Sequence, residues 1–425
     1  MQTHDVVKPG LEYIEQNLRT TVTAEELADM AGYSVWHYQR LFAQATGMPV
    51  AAYIGKRRLD RALADIIGGR RAIDVALEYG FDTYAGFYKA FVRTYGDSPK
   101  SYLARKENSI MFTEKELRDI LKNWDIPQDL PILDVYIMDE KVSDNVWAIG
   151  EDYILKSDKR EGLLRSLKVA KALAAQGFAA ATPVPTKTGM EYLDGEKITV
   201  LTRGIKGSPL SKSDRFGDDR RAFGVKYGEG IARLHRALAA IESEIQPHEQ
   251  NLYTHAAEWA LPETKKQNSQ YQMGLPDSFF EDYTRNFGAL CGKLPKQLIH
   301  RDPNPSNILF DDSDVSGFID FDLSHRNVRL FDPCYCATGI LSEQRGVDGI
   351  YEKWPPILEG ILYGYDNVNP LTAEEKQAVF YVICSIQMIF TAYCEPQSEL
   401  KELAKTNREM MRFIAGSKAR ISRIF

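Results

Sequence analysis

The sequence predicts two domains of different class, an all-helical domain in about the first hundred residues and an α+β domain over the rest. Three observations support this division. The chain has 425 residues, which is too long for one ordinary domain. A helix-turn-helix pattern occurs twice before residue 107. A β-hairpin pattern flanked by polar side chains lies at residues 298–322.

The composition indicates a soluble globular protein, with 44% hydrophobic and 26% charged residues. No apolar run approaches the roughly 20 residues that span a bilayer. Residues 1–5 lack the basic and apolar regions of a signal peptide. Five scattered cysteines fit a reducing compartment. We therefore expect a cytoplasmic protein that does not bind a membrane.

The first helix-turn-helix begins at a capping box, in which Thr23 caps a helix and Glu26 follows three residues later. The short helix ends at Gly32, and Ser34 can cap a second helix over residues 35–44. Two helices joined by a tight turn that contains glycine form a helix-turn-helix.

The same pattern returns about 50 residues later, which marks an internal repeat. Residues 75–80 repeat the pattern of residues 27–32, and Asp82 stands at the place of the first helix cap. The second helix of this copy covers residues 83–95. The sequence thus predicts two helix-turn-helix units in tandem.

This tandem, over about residues 8–105, resembles the AraC/XylS class of DNA-binding domains. The second copy carries the more specific motif, in Ala76, Gly80, Phe81, Phe87, Phe91 and the pair Ser98-Pro99. The resemblance implies double-stranded DNA as a partner, with each second helix in a major groove. The polar and aromatic faces of these helices carry the candidate contacts, Trp36, His37, Gln39 and Arg40 on the first and Tyr84, Tyr88, Lys89 and Arg93 on the second. Only a few residues per helix reach base edges, so a solvated face is the alternative for each side chain.

Two short apolar runs, 308–310 and 317–321, flank an aspartate-rich turn and predict a β-hairpin. Asn307 precedes the first strand, and Asp320 lies near the end of the second. Because the start of one antiparallel strand lies beside the end of the other, the hairpin brings the amide oxygen and the carboxylate together. A few hard oxygen ligands of this kind suit Mg²⁺.

Asp302 stands five residues before Asn307 in the pattern His-Arg-Asp-x-x-x-x-Asn, and an Asp-Phe pair follows at Asp320. Phosphoryl transfer needs a carboxylate for the acceptor hydroxyl and further oxygen ligands for the metal. This part of the chain resembles the aminoglycoside phosphotransferase family of protein-kinase-like fold, which includes choline and homoserine kinases. The resemblance implies a two-lobed domain, Asp302 as catalytic base, Asn307 and Asp320 as Mg²⁺ ligands, and ATP or GTP as phosphoryl donor. Asp322 is an alternative metal ligand.

The family's nucleotide-binding residues match less completely. Lys156, in the strand 153–157, matches the strand lysine that pairs with nucleotide phosphates. The helix behind it should supply a glutamate partner, but that position holds Ser166, and Glu161 is the only acid in the helix. Glu161 is therefore the candidate partner, and it remains open whether such a pair forms. Residues 142–145 stand where a glycine-rich phosphate loop would lie.

His300 and Asp332 are the residues expected to support the catalytic loop. Asp332, in Phe331-Asp-Pro333, matches a family aspartate that braces the loop by hydrogen bonds. His300 begins the catalytic motif itself. His235, in contrast, is expected to be a buried core residue with its hydrogen bonds satisfied.

These features predict an AraC-type domain at residues 1–107, a hinge at 107–111, a small lobe at 112–203 and a large lobe at 204–425. We expect a transcription regulator fused to an ATP-dependent small-molecule phosphotransferase of the aminoglycoside or amino-alcohol kinase type. Two alternatives are a regulator whose kinase-like domain binds ligand without catalysis, and an enzyme whose helical domain mediates association. The sequence does not assign the acceptor.

Overall fold

The computed structural model of the protein describes residues 3–46, 48–67, 70–81, 83–95, 99, 112–137, 140–141, 145–344, 347–397 and 400–425. The chain divides into two compact units, Met1–Met111 and Phe112–Phe425. The predictions made for Asp82, Ser98 and residues 142–144 lie outside the described residues, as does the predicted hinge.

The front unit is helical, as the sequence predicts. Thr23 Oγ1 accepts a hydrogen bond from the Glu26 N–H at 3.2 Å, and the Glu26 carboxylate accepts one from the Thr23 N–H at 3.0 Å. This capping box starts the first short helix, and Gly32 ends it with a left-handed φ of 73°. The helices are Thr3–Gln16, Ala24–Ala31, Val35–Thr46, Val50–Ile67, Ala72–Glu78 and Tyr84–Tyr95.

The second helix of each helix-turn-helix contributes aromatic side chains to one common core. Tyr38 and Phe42 of the first copy are fully buried, and so are Phe87 and Phe91 of the second. A spacing of four residues places both rings of each pair on the same helix face. The opposite face of each helix therefore remains free to carry exposed side chains.

The small lobe of the second unit is built on a four-stranded antiparallel sheet. Lys156 lies in its interior, opposite Val146 on one neighbouring strand and Val200 on the other. Helix Arg160–Ala175 follows directly and packs its leucines against the sheet. In spatial order the strands are Ile132–Asp134, Val146–Ile149, Tyr153–Asp158 and Ile198–Arg203. Helix Glu114–Leu121 and the paired strands Tyr136–Ile137 and Glu140–Lys141 complete this part of the chain.

The large lobe is mainly helical. Contrary to the expectation that no apolar run approaches bilayer length, helix Ala373–Cys394 is long and apolar enough to cross a membrane by length and composition alone, but 83% of its most apolar window is buried inside the fold. Such burial is typical of a core helix in a globular protein. The helices are Lys212–Phe216, Arg220–Ile245, Leu252–His255, Leu261–Tyr271, Asp277–Asp282, Gly288–Cys291, Phe331–Ser342, Ile350–Val368, Ala373–Cys394, Lys401–Gly416 and Lys418–Ile421, with π-helical segments at Ala256–Ala260 and Tyr283–Phe287.

Glycines let two long helices of the large lobe, Arg220–Ile245 and Ile350–Val368, approach each other closely. A Cβ on Gly228 of the first helix would overlap the carbonyl oxygen of Ile361 on the second. A Cβ on Gly364 would overlap a carbonyl oxygen of the first helix in return. The contact therefore depends on backbone-to-backbone packing that any larger residue would disturb.

The predicted hairpin is present, with one correction to its second strand. Ile308 pairs with Phe318 across the hairpin, and its strands are antiparallel. The second strand begins earlier than predicted and ends at Phe318, so Asp320 lies beyond it. The reason is the backbone of Asp320, whose left-handed φ of 70° is incompatible with an extended strand. The strands are Ile308–Asp311 and Asp314–Phe318, and a neighbouring antiparallel pair is formed by Lys296–Ile299 and His325–Val328.

Candidate functional site

The carboxylate of Asp302 is held by side chains from two different parts of the large lobe. The Tyr335 hydroxyl donates to Asp302 Oδ1 at 2.6 Å, and the Asn307 amide donates to Oδ2 at 3.2 Å. Asn307 also donates to the Asp302 carbonyl oxygen at 3.0 Å. Burial raises the pKa of Asp302 above the ordinary carboxyl range, and the Tyr335 hydrogen bond opposes that rise. This is the environment of a carboxylate with a fixed orientation and enhanced basicity.

Asn307 and Asp320 lie at the same end of the hairpin. The Ile319 N–H donates to the Asn307 carbonyl oxygen at 3.1 Å, which fixes the residue before Asp320 beside the catalytic loop. Because the Asn307 Nδ2 atom donates to Asp302, its Oδ1 atom is left as an acceptor. Amide and carboxylate oxygens are the donor set that suits Mg²⁺. Over the part of the chain that is described, no group of three or more His, Cys, Asp or Glu side chains is arranged to hold a metal.

Lys156 pairs with Asp320 across the cleft between the lobes. The ammonium Nζ lies 2.7 Å from Asp320 Oδ1. Burial lowers the pKa of Lys156, but the nearby carboxylates, Asp320 foremost, more than offset this, so the pKa lies above its ordinary value. Asp322 stands close to both groups, where burial and the Asp320 charge raise its pKa to about 6. The structure thus brings a cation and two carboxylates to the predicted nucleotide site.

The helix behind Lys156 does not provide an acidic partner for this lysine. Glu161 bonds Arg165 one turn along its own helix at 2.9 Å, and its side chain is 89% exposed. Ser166, at the position expected for glutamate, accepts a hydrogen bond from the Phe321 N–H at 3.2 Å. The Lys156–Glu161 pair, which the sequence left open, is therefore not formed, because Glu161 lies at the solvent edge of the helix. Ser166 is short enough to let the Asp-Phe segment pack against the helix.

Asp332 supports the loop that precedes Asp302 by binding backbone N–H groups. Its two carboxylate oxygens accept the N–H groups of His300 at 2.8 Å and Arg301 at 3.0 Å. His235 Nε2 lies 2.8 Å from Asp332 Oδ2, and His235 Nδ1 lies 2.8 Å from the Tyr365 hydroxyl. Asp332 and His235 are both completely buried. Burial opposes the charge of Asp332, yet hydrogen bonds from His235 and the loop lower its pKa below the usual carboxyl value.

His300 fixes the far side of the same loop. Its Nε2–H donates to the Ile319 carbonyl oxygen at 3.0 Å, just before Asp320. Arg301 has a left-handed φ of 75°, a strained conformation for a residue with a side chain. The hydrogen bonds from the N–H groups of His300 and Arg301 to Asp332 hold this backbone conformation.

Two cavities adjoin these residues. One of about 290 Å³ is lined by Lys156, Glu161, Gly162 and Asp322, among others. The other, of about 470 Å³, has Asp302 in its wall. Volumes of this order accommodate small molecules. The cavity of about 470 Å³ is lined by Arg165, His248, Gln250, Arg301, Asp302, Leu323, His325, Tyr335, Ile389, Phe390 and Tyr393.

Sequence reasoning missed Tyr335, Arg301 and Arg165 as members of this site. Tyr335 lies one helical turn after Asp332, so its place beside the loop follows from a residue that the sequence did single out. Arg301 belongs to the catalytic motif, but its side-chain direction depends on the left-handed backbone. No sequence signal marked Arg165.

The first candidate DNA-binding helix presents most of its predicted contact residues to solvent. Trp36 is 68% exposed, and the Arg40 guanidinium lies 5.2 Å from its ring centre. Gln39 is exposed, whereas His37 is half-buried and stacks on Tyr33 with ring centres 5.1 Å apart. His37 is thus partly engaged inside its own domain.

The second candidate DNA-binding helix, Tyr84–Tyr95, exposes Tyr84, Tyr88 and Lys89. The two tyrosine rings lie 6.4 Å apart. Arg93 belongs to this helix, and its side chain lies outside the described part of the structure.

The family comparison covers the candidate active site. Residues 139–365, more than half of the chain, match the model described as the phosphotransferase enzyme family. The chain belongs to the phosphotransferase enzyme family. The matched region contains Lys156, Asp302, Asn307, Asp320 and Asp332.

The front unit of the chain has different relatives. Residues 27–105 match the model of a helix-turn-helix domain. The transcriptional regulator Rob of Salmonella typhimurium is 32% identical over 143 residues, which are 32% of this chain and 49% of Rob. The Tn10 TetD protein of Escherichia coli is 34% identical over 102 residues, 24% of this chain and 74% of TetD. The activator AarP of Providencia stuartii is 36% identical over 98 residues, 23% of this chain and 73% of AarP.

These matches give the chain an AraC-type helix-turn-helix domain in its front unit, as the sequence resemblance predicts. The chain spans about half the length of Rob, the first of these relatives.

Solved structures resemble the second unit of the chain in fold. An aminopropanol kinase associated with a microcompartment has a TM-score of 0.51 at 16% identity, covering 74% of this chain and 100% of that one. A spectinomycin phosphotransferase, in complex with ADP and spectinomycin, has a TM-score of 0.51 at 13% identity, covering 73% of this chain and 99% of that one. An amicoumacin kinase, in complex with AMP-PNP and Ca²⁺, has a TM-score of 0.50 at 13% identity, covering 72% of this chain and 95% of that one. The kinase-like two-lobed fold is therefore confirmed.

Proposed function

We propose that this chain is a DNA-binding transcription regulator fused to an active phosphotransferase that transfers the γ-phosphate of ATP to a hydroxyl of a small molecule. The arrangement of Asp302, Asn307 and Asp320 at one end of the hairpin, with Lys156 beside Asp320, carries the proposal. It combines a base, oxygen ligands for a metal and a cation for phosphate, which are the parts that phosphoryl transfer needs. GTP is the alternative donor.

Each residue has a distinct role in the proposed reaction. Asp302 orients the acceptor hydroxyl and takes its proton as the oxygen attacks the γ-phosphorus. The new O–P bond replaces the bond between the γ-phosphorus and the bridging oxygen, and the nucleoside diphosphate leaves with that electron pair. Lys156 would hold the phosphates, and Asn307 and Asp320 would hold Mg²⁺. Bound Mg²⁺ neutralises the phosphate charge.

The decisive experiment compares Asp302→Asn with Asp312→Asn in acceptor-dependent ADP release. Asp312 is an exposed carboxylate in the turn of the same hairpin, with a left-handed φ that asparagine tolerates. We expect Asp302→Asn to lower kcat roughly 10²- to 10⁴-fold, the usual effect of removing a general base. The nucleotide affinity of Asp302→Asn should be unchanged. The Asp312→Asn variant should keep the kcat of the wild type. Undiminished turnover in Asp302→Asn would overturn the catalytic assignment.

A second candidate function is a ligand sensor without catalysis. Glu161 bonds Arg165 instead of Lys156, and the helix presents Ser166 in place of the glutamate that orients the lysine in kinases. A sensor would bind nucleotide or acceptor and change DNA affinity without releasing ADP. Linkage requires that DNA then change the ligand affinity by the same factor. Titrating the full-length chain with nucleotide, with and without its DNA, tests this reciprocity.

For the front unit we propose binding to specific double-stranded DNA through helices Val35–Thr46 and Tyr84–Tyr95. Both helices bury one aromatic face and expose polar and basic side chains on the other. Binding of the full-length chain to genomic fragments should weaken as salt rises, since phosphate contacts release counterions. Binding that does not depend on salt would contradict this mode. All five cysteines are free, so we place these functions in a reducing cytoplasm.

A further inference from the structure

We propose that the acceptor alcohol carries an anionic group, a carboxylate or a phosphate, which Arg301 binds in the cavity beside Asp302. This inference rests on the proposed phosphotransfer and names the chemical class of its acceptor. It departs from the amine-bearing acceptors of aminoglycoside and amino-alcohol kinases, which the sequence resemblance suggests.

The charge of the cavity is the first observation. Arg165 and Arg301 both line it, and among its lining residues, all of them described, Asp302 is the only acid. Asp302 is already engaged by Tyr335 and Asn307. An acceptor with an ammonium group would therefore meet two guanidinium groups and find no free carboxylate.

The environment of Arg301 is the second observation. Its guanidinium lies 4.2 Å from the ring centre of Phe331 and 6.0 Å from that of Tyr335. Within the described chain, no carboxylate lies within salt-bridge distance of it, whereas Arg165 bonds Glu161. A half-buried guanidinium that forms no salt bridge is stabilised by an anionic ligand.

The backbone gives Arg301 a fixed position. Its left-handed φ of 75° is held by the bond from its own N–H to Asp332. Strained backbone of this kind concentrates at ligand sites, where it orients a side chain. Guanidinium groups stacked on aromatic rings present a planar set of N–H donors that matches the two oxygens of a carboxylate or phosphate.

The geometry also orients the acceptor. Tyr335 contacts both ends of the proposed complex, since its hydroxyl bonds Asp302 and its ring lies beside Arg301. The anion would therefore sit within a few bonds of the reacting hydroxyl. Leu323, Ile389 and Phe390 form an apolar part of the wall, which suits a hydrocarbon portion.

The test uses the full-length protein, Mg-ATP and four probes with one skeleton. The probes are 4-(hydroxymethyl)benzoate, 4-(hydroxymethyl)phenyl phosphate, 4-(hydroxymethyl)benzylamine and benzyl alcohol. We expect kcat/KM for at least one anionic probe to exceed that of benzyl alcohol, and the amine to be the poorest acceptor. The carboxylate and phosphate probes separate the two sources of the anion.

The variant Arg301→Gln should reduce kcat/KM for the anionic probe roughly 10- to 100-fold, the effect of removing a charged hydrogen-bond partner. The loss should lie mainly in KM, and Arg301→Lys should recover part of it. Nucleotide affinity monitors folding of each variant. The preference for the anion over benzyl alcohol should disappear in Arg301→Gln.

The outcomes separate this inference from the proposed function. Preferential phosphorylation of the amine probe, dependent on Asp302, would support the transferase and overturn the anionic acceptor. Binding of an anionic probe that depends on Arg301, without any ADP release, would support the anion site and overturn catalysis. An equal loss for all probes in Arg301→Gln, or no binding of any anionic probe, would also refute the role of Arg301.

Discussion

The Tyr335 hydroxyl donates to Asp302 Oδ1 at 2.6 Å, while the Asn307 amide holds the other carboxylate oxygen at 3.2 Å. One donor comes from the helix Phe331–Ser342 and the other from the loop that leads into the hairpin. The carboxylate therefore has one orientation set by two independent parts of the fold. Such pre-positioning is what a general base requires before an acceptor arrives.

Removing the tyrosine hydroxyl should weaken this orientation while leaving the aromatic ring beside Arg301 in place. We expect Tyr335→Phe to lower kcat by about 10-fold, because a hydrogen bond to a charged group is worth about 1.5 kcal/mol or more. KM for the nucleotide should stay the same. Tyr363→Phe, which removes an exposed hydroxyl from another helix of the large lobe, is the control. Equal kcat in wild type and Tyr335→Phe would show that the bond is dispensable.

The glycine contact between the two long helices should be sensitive to a single methyl group. We expect Gly228→Ala to destabilise the protein by about 1–3 kcal/mol, because its Cβ would overlap the Ile361 carbonyl oxygen. Gly416→Ala is the matched control, since a Cβ there would meet nothing within 4 Å. Denaturant unfolding of the two variants measures the difference. Equal stability would mean that the helices can separate without cost.

Burial of His325 should make stability depend on pH. Its pKa is lowered to about 4, chiefly by burial and in smaller part by the charges of Arg301 and His248, while the hydrogen bond to the Leu323 carbonyl opposes the shift. Its unfolded pKa is about 6.5, so between these values the unfolded state binds a proton that the folded state excludes. The stabilising contribution is complete above about pH 6.5 and is lost as pH falls, by roughly 3 kcal/mol at pH 4.

Comparison with His325→Gln isolates this contribution, because other titrating groups are common to both proteins. The variant loses the ring's hydrogen bonds to Leu323 and Asn327 and should be less stable at pH 7.5. The difference in unfolding free energy should shrink steadily as the pH is lowered to 5. Parallel stability curves would refute the buried neutral histidine.

The exposed basic residues of the two candidate DNA-binding helices should contribute to the affinity for DNA. We expect Arg40→Ala and Lys89→Ala each to weaken binding of the full-length chain and to reduce the salt dependence by about one phosphate contact. Arg61→Ala is the control, because Arg61 is also exposed but lies on the helix between the two copies and pairs with Glu15. Fluorescence anisotropy over a salt series gives both quantities. An equal effect of all three substitutions would point to net charge instead of specific helices.

The sequence by itself determined the local features of this protein. The capping box at Thr23, the repeat of the helix-turn-helix and the hairpin predicted over residues 308–321 all depend on groups close together in the chain. The relation of Asp302 to Asn307 belongs to the same class, because five residues of loop fix it. Short-range hydrogen bonds and steric preferences decide such features, so they can be derived from the order of residues.

Only the tertiary structure decided which distant groups meet. Lys156 pairs with Asp320 instead of Glu161, and Ser166 receives the Phe321 N–H across 155 positions of sequence. The left-handed backbone at Asp320, which ended the strand earlier than predicted, lies where the segment packs against that helix. These contacts depend on how the lobes fill space and on which polar groups burial forces together. Spacing along the chain carries no record of either.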